Sequence, residues 1–250
     1  MVAARPRLAT AALGAPLLLA LAACEGPQSA LAPAGVGALA PAGVGARELA
    51  ELWWVMAAGA VVIFLLVIGC AAYATLIAPR PHPDFAGTWF ILGGGVAFPV
   101  VVLSALLTYS FVLGRGLSRE PGPEALRIEV VGKQWWWEVR YLAPGGALPV
   151  VSANELRLPV GQPVELLLSA SDVIHSFWVP RITGKRDMIP GRINRLVLEV
   201  EEPGIYRGQC AEYCGGPHAW MAFYAVADEP DAFAAWLERE ARPAARPEDP

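Results

Sequence analysis

Cys210-Ala211-Glu212-Tyr213-Cys214-Gly215-Gly216-Pro217-His218-Ala219-Trp220-Met221 gathers two thiols, an imidazole and a thioether in one short stretch. Its Gly-Gly-Pro run cannot form a helix interior, so the stretch is a loop able to fold those donors around a metal. Thiolate and thioether are soft ligands that, together with imidazole, favour copper. His175 adds a fifth donor from Asp172-Val173-Ile174-His175-Ser176-Phe177-Trp178. Three plainer readings compete. In an oxidising compartment Cys210 and Cys214 could close a disulfide. Two Cys and two His could hold zinc, and one His could be a satisfied core residue. Zinc has no use for Met221, and the full combination weighs toward copper.

On either side of this loop the chain reads as short β-rich runs broken by Gly and Pro: 126–131, 134–141, 155–160, 164–169, 195–200, 204–209 and 221–227. Leu126, Ile128 and Val130 alternate with charged neighbours, the period of a half-buried strand. Many strands at short spacing without intervening helices predict an all-β Greek-key sandwich or barrel over 119–228. Phe233, Trp236 and Leu237 then predict a short amphipathic helix over 231–240, inside a C-terminal region (229–250) that ends in a Pro-rich disordered tail. From Arg119 onward about 19 acidic residues face about 14 basic ones. Such a mildly acidic surface argues against nucleic acid and suits a basic protein partner.

The first half is built differently. Hydrophobic residues make up 55% of the chain, while most of the charge lies after Arg115. Two apolar spans, about 52–78 and 88–113, each exceed the roughly 20 residues needed to cross a bilayer. They predict a two-helix transmembrane hairpin within 50–115, with Trp53-Trp54 as an interfacial anchor. Gly93-Gly94-Gly95 and Pro99 inside the second span are tolerable where neighbouring helices satisfy the backbone, which hints at a membrane partner. Ahead of the hairpin, 1–24 reads as a signal peptide with a lipobox-like Leu21-Ala22-Ala23-Cys24 end. Residues 25–49 read as a Pro/Ala/Gly-rich tether containing LAPAGVGA twice, from Leu31 and from Leu39. An exported N-terminus places the β domain on the periplasmic side of a bacterial inner membrane.

C-x-E-x-C-G-x-x-H-x-x-M with D-V-x-H-S-F resembles the CuA domain of cytochrome c oxidase subunit II, over roughly 52–227. That resemblance implies a cupredoxin barrel holding two copper ions bridged by Cys210 and Cys214. His175 and His218 would each bind one copper, and Met221 and the Glu212 carbonyl would complete the sites. The Glu212 carboxylate would face a magnesium ion at the border with subunit I. Gly132-Lys133-Gln134-Trp135-Trp136-Trp137 is similar to the family's aromatic segment, which implies that Trp135 receives the electron from cytochrome c. Gly184-Lys185-Arg186-Asp187-Met188-Ile189-Pro190-Gly191-Arg192 resembles a loop packed near subunit I. Glu138 and Asp172 are candidates for an acidic docking surface.

One departure concerns the second helix. The position of a family glutamate linked to proton uptake is Ala86 here, aligned on Trp89, so no proton role carries over; Asp84 is a possible substitute. The expected function is electron transfer from cytochrome c to the haem centre of subunit I, in a complex that also holds subunit III. Two alternatives keep copper: the CuA subunit of a nitric oxide reductase, and a membrane-anchored copper assembly protein.

Overall fold

The structure, a computed structural model, describes residues 37–77, 87–117, 122, 125–142 and 150–241. The signal-like segment with Cys24, the 79–84 turn, Ala86 and the tail after 241 lie outside the described residues.

Helix α1 (Val44–Ala72) passes into a π-helical turn, Tyr73–Ile77. The second apolar segment runs through α2 (Thr88–Leu92), a π-helical turn (Gly93–Ala97) and α3 (Phe98–Leu117). Pro99 has no N–H to offer the carbonyl one turn back, and the wide turn built on three glycines accommodates that loss. The two helices, Val44–Ile77 and Thr88–Arg115, are long and apolar enough to cross a membrane, with mean hydropathies of 2.7 and 2.3. Val62, Leu66, Leu103 and Phe111 lie bare on their surfaces, as suits contact with lipid or another membrane protein.

The helix starts earlier than the sequence indicates. The tether expectation placed 25–49 outside any element, yet α1 begins at Val44, inside the second octapeptide copy. The segment before it is bonded to the β domain. Ala42 N–H donates to the Arg181 carbonyl at 2.7 Å, Glu201 N–H to Ala42 at 2.8 Å, and Ala46 N–H to Ile182 at 3.1 Å. A Cβ on Gly43 would fall 2.6 Å from the Ile182 carbonyl oxygen, so only glycine passes there. Gly-rich sequence here permits close backbone approach rather than freedom.

The β domain is two five-stranded sheets. One has the order β3 (Val150–Ala153), β2 (Trp136–Tyr141), β1 (Leu126–Lys133), β5 (Val164–Ala170) and β8 (Asn194–Leu198). The other has the order β4 (Glu155–Pro159), β10 (Ala222–Asp228), β9 (Gly204–Cys210), β6 (His175–Trp178) and β7 (Arg186–Met188). Two of the pairings are parallel, β1 with β5 and β4 with β10. The chain leaves the first sheet for the second at Asn154, whose φ is 59°. Its side-chain oxygen accepts from Trp137 N–H at 2.8 Å, and its own N–H donates to the Trp137 carbonyl at 2.9 Å. An Asn is suited to that left-handed corner.

Alternating residues of both sheets meet between them, Ile128, Val130 and Leu166 facing Leu156, Leu158 and Ala225. Trp137 sits at the centre, fully buried, with ring centroids 5.0 Å from Phe223 and 6.1 Å from Phe177. Helix α4 (Pro230–Glu240) lays Phe233 and Trp236 against Tyr141, whose hydroxyl accepts from Arg157 N–H at 2.6 Å. The expected order of helices, all-β two-sheet sandwich and short closing helix is the order found.

Candidate metal centre

Cys210 ends β9, directly across from Phe177 of β6, and His175 begins β6. The loop between β9 and β10 is pinched at its neck, where Cys210 N–H donates to the Met221 carbonyl at 3.0 Å. Inside the loop Gly215 turns with φ 124°, a region that L side chains rarely adopt, and a 3-10 turn over Gly216–Trp220 brings His218 back toward the cysteines.

Five donor side chains and one carbonyl meet there. Cys210 Sγ and Cys214 Sγ stand 3.8 Å apart as free thiols. Cys210 Sγ lies 3.8 Å from His175 Nδ1 and 3.1 Å from the Glu212 carbonyl oxygen. Cys214 Sγ lies 3.5 Å from His218 Nδ1 and 3.7 Å from Met221 Sδ. His175, Cys210 and Cys214 form the group of three buried ligating side chains found among the described residues. Met221 is buried beside them, while His218 is half-buried at the rim. Two thiols, two imidazole nitrogens and a thioether are the donors that a copper site uses, so the residues fit that metal. Burial, and then the neighbouring Cys210, push the Cys214 thiol up to about 12. A bound cation is what would hold it as thiolate at neutral pH.

The His175 imidazole is aimed from behind. His175 Nε2 lies 2.8 Å from Asp172 Oδ1, which turns Nδ1 toward the thiols. A Cβ on Gly132 would fall 2.9 Å from His175 Cδ2, so β1 passes flat against that ring. Burial opposes ionisation of Asp172, yet the N–H of Gln134, the His175 ring and the N–H of Val173 hold its carboxyl below the usual range. Trp135 is 40% exposed at the surface, and its Nε1 donates to the Cys214 carbonyl at 3.2 Å. Gln134 Nε2 donates to the same oxygen at 2.8 Å.

The two candidate docking acids have other partners. Both Asp172 oxygens are engaged in the bonds just described, to Gln134 N–H at 2.7 Å and Val173 N–H at 2.7 Å besides His175. Glu138 is buried and paired with Lys133 and Arg140. The 184–192 loop forms β7, which pairs His175 with Met188 in register. Lys185 Nζ there lies 3.6 Å from Asp187 Oδ1 and 4.0 Å from Glu212 Oε2. The Glu212 carboxylate faces that ammonium, and the cluster of metal-ligating groups found among the described residues does not include it, so the magnesium expectation is not supported. Sequence reasoning missed Gln134 and Gly132. Asp172 carried one usable signal, its place three residues before His175.

The family model described as cytochrome c oxidase subunit II, periplasmic domain, matches residues 142–227. Cytochrome c oxidase subunit 2 of Branchiostoma floridae is 31% identical over 167 residues, which cover 60% of this chain and 70% of that protein. The chain belongs to the cytochrome c oxidase subunit 2 family. The family relative from Alkalihalophilus pseudofirmus is 37% identical over 159 residues, 60% of this chain but 43% of its own length. The chain therefore spans less than half of that longer family member. A crystal structure of the periplasmic domain of subunit II of cytochrome oxidase (CoxB) of Bradyrhizobium japonicum is 32% identical, covers 47% of this chain and 95% of that one, and has a TM-score of 0.43. Two apolar helices joined to the family's periplasmic domain are the parts of a membrane-anchored protein.

Proposed function

We propose that this chain is the electron-receiving subunit of a respiratory cytochrome c oxidase. It takes electrons from cytochrome c and passes them to the haem centre of subunit I, where oxygen is reduced. The observation that carries this reading is the donor set itself: Cys210, Cys214, His175, His218, Met221 and the Glu212 carbonyl converge within a few ångströms. These residues would hold copper, whose chemistry when bound would be the gain and loss of one electron.

The chain's own residues supply the rest. The sandwich holds the donors in place, so they need not move when the charge changes. His175 is sealed in the core, whereas His218 reaches the rim beside Tyr213, with ring centroids 5.7 Å apart. Trp135 offers an exposed aromatic face bonded directly to a ligand residue, which suits it to receive an electron from the donor protein. The hairpin anchors the domain on the periplasmic face of the inner membrane, against subunit I and subunit III.

The reading is tested in the intact complex by following reduction of the copper centre by reduced cytochrome c. Trp135→Leu is expected to slow that reduction while the metal content stays as in the parent. An unchanged rate would remove Trp135 from the path.

A further inference from the structure

Gln134 is the one described residue bonded to both ligand-bearing loops. Its backbone N–H donates to Asp172 Oδ2 at 2.7 Å, and Asp172 in turn holds His175 through Oδ1 at 2.8 Å. Its side-chain Nε2 reaches the other way, to the Cys214 carbonyl at 2.8 Å. The site is tight around this contact: a Cβ on Gly215 would fall 3.2 Å from Gln134 Nε2 and 3.1 Å from Trp135 Cζ2. Glycine with φ 124° at 215 lets the loop carbonyl turn toward the amide.

The two loops share little else on this side. His175 comes from β6 and Cys214 from the β9–β10 loop, 39 residues later in the chain, and neither backbone bonds the other. β6 meets the base of the other segment at Phe177, in register with Cys210, and at Ser176, whose carbonyl accepts from Ala211 N–H at 2.9 Å, so the direct link stops short of Cys214. Farther out, toward Cys214, a third segment spans from Asp172 to the Cys214 carbonyl.

We infer that Gln134 is a positioning residue that clamps the Asp172–His175 loop to the Cys214 loop and so sets the shape of the ligand cluster. The inference rests on the copper reading for its spectroscopic arm alone, because the clamp is a property of the metal-free chain. Trp135 shares the Cys214 carbonyl, but its bond is longer and it has no link to Asp172, so it supports the contact without bridging the loops. A donor is what the site requires: a carbonyl faces the side chain, so an acceptor in that place would be repelled.

The test uses the full chain in detergent, metal-free and copper-loaded, with Gln134→Leu, Gln134→Glu and Trp135→Phe. In the metal-free protein, amide hydrogen exchange over 211–216 should quicken about tenfold in Gln134→Leu, the loss of roughly one net hydrogen bond. It should quicken less in Trp135→Phe, and the α4 peptide should not change in either. In the copper-loaded protein, the visible absorption should shift in Gln134→Leu and Gln134→Glu. Gln134→Glu is nearly isosteric, so it keeps the test open if the leucine variant does not fold. Unchanged exchange over 211–216 together with an unchanged spectrum would overturn the clamp. Failure of the parent chain to take up copper would instead count against the proposed function, leaving the exchange result to judge Gln134.

Discussion

At Glu138 a carboxylate is buried between two cations, and the arrangement has a consequence in pH. Lys133 above all, with burial opposing, and then Arg140 hold its carboxyl below the usual glutamate range. A depressed native value means that the stabilisation is complete above the unfolded pKa of about 4.3 and is lost as pH falls through the native one. Glu138→Gln should cost about 1–3 kcal/mol at pH 7, and the gap in thermal midpoint between variant and parent should close in strong acid. A constant gap down to acid pH would show that the ion pairs contribute nothing. Gly208 makes a steric prediction of the same scale. A Cβ there would fall 2.2 Å from the Phe223 ring, which lies across it from the neighbouring strand. Gly208→Ala should destabilise by about 1–3 kcal/mol through overpacking, read as a lowered unfolding midpoint. The clustering of Cys210, Cys214, His175, His218 and Met221 was legible because Cys, His and Met announce their chemistry by type. Gln134 and Gly132 were not, since an amide and a glycine acquire a role only when two distant loops meet around them.

Among the elements, long periodic runs were the easier to read. The strand expected over 126–131 is β1, Leu126–Lys133, and the helix expected over 231–240 is α4, Pro230–Glu240. Strands β3, β6 and β7 escaped notice for physical reasons. They have four, four and three residues, too few to show a period, and β7 is Arg-Asp-Met, whose pairing with β6 no propensity foretells. The early start of α1 was hidden because its glycines and the preceding proline read as breakers. Two elements invite mutation. Trp236 of α4 packs on Tyr141 at 5.0 Å between centroids and lies under Arg157 at 5.2 Å. Trp236→Ala should cost about 3–5 kcal/mol, and denaturant unfolding of the full chain measures it; a loss below 1 kcal/mol, roughly a surface value, would make α4 an ornament. The segment before α1 gives the second. Gly43→Val should speed amide exchange at Ala42, Ala46 and Glu201, whose N–H groups donate the bonds of the clasp, and exchange as slow as in the parent would show that the clasp tolerates bulk.

On the scale of the whole molecule, that clasp makes the β domain and the membrane anchor one construction. Arg47 of α1 is paired with Glu201, and a Cβ on Gly184, next to Lys185, would fall 3.1 Å from Leu49. The chain then runs through β7 to the partner of His175. Anchor, loop and the strand carrying His175 are thus joined by consecutive contacts. Removing residues before 119 would strip Ala42 and Ala46 from the domain, so measurements belong on the full chain. The proposed function requires six groups of this chain to build a binuclear copper centre. Electron paramagnetic resonance with metal analysis on the copper-loaded full chain in detergent tests it most directly. Two copper ions per chain, with hyperfine lines from one electron shared equally over both, are expected. A single-copper spectrum, bound zinc in its place, or a folded metal-free protein with Cys210 and Cys214 joined as a disulfide would contradict it.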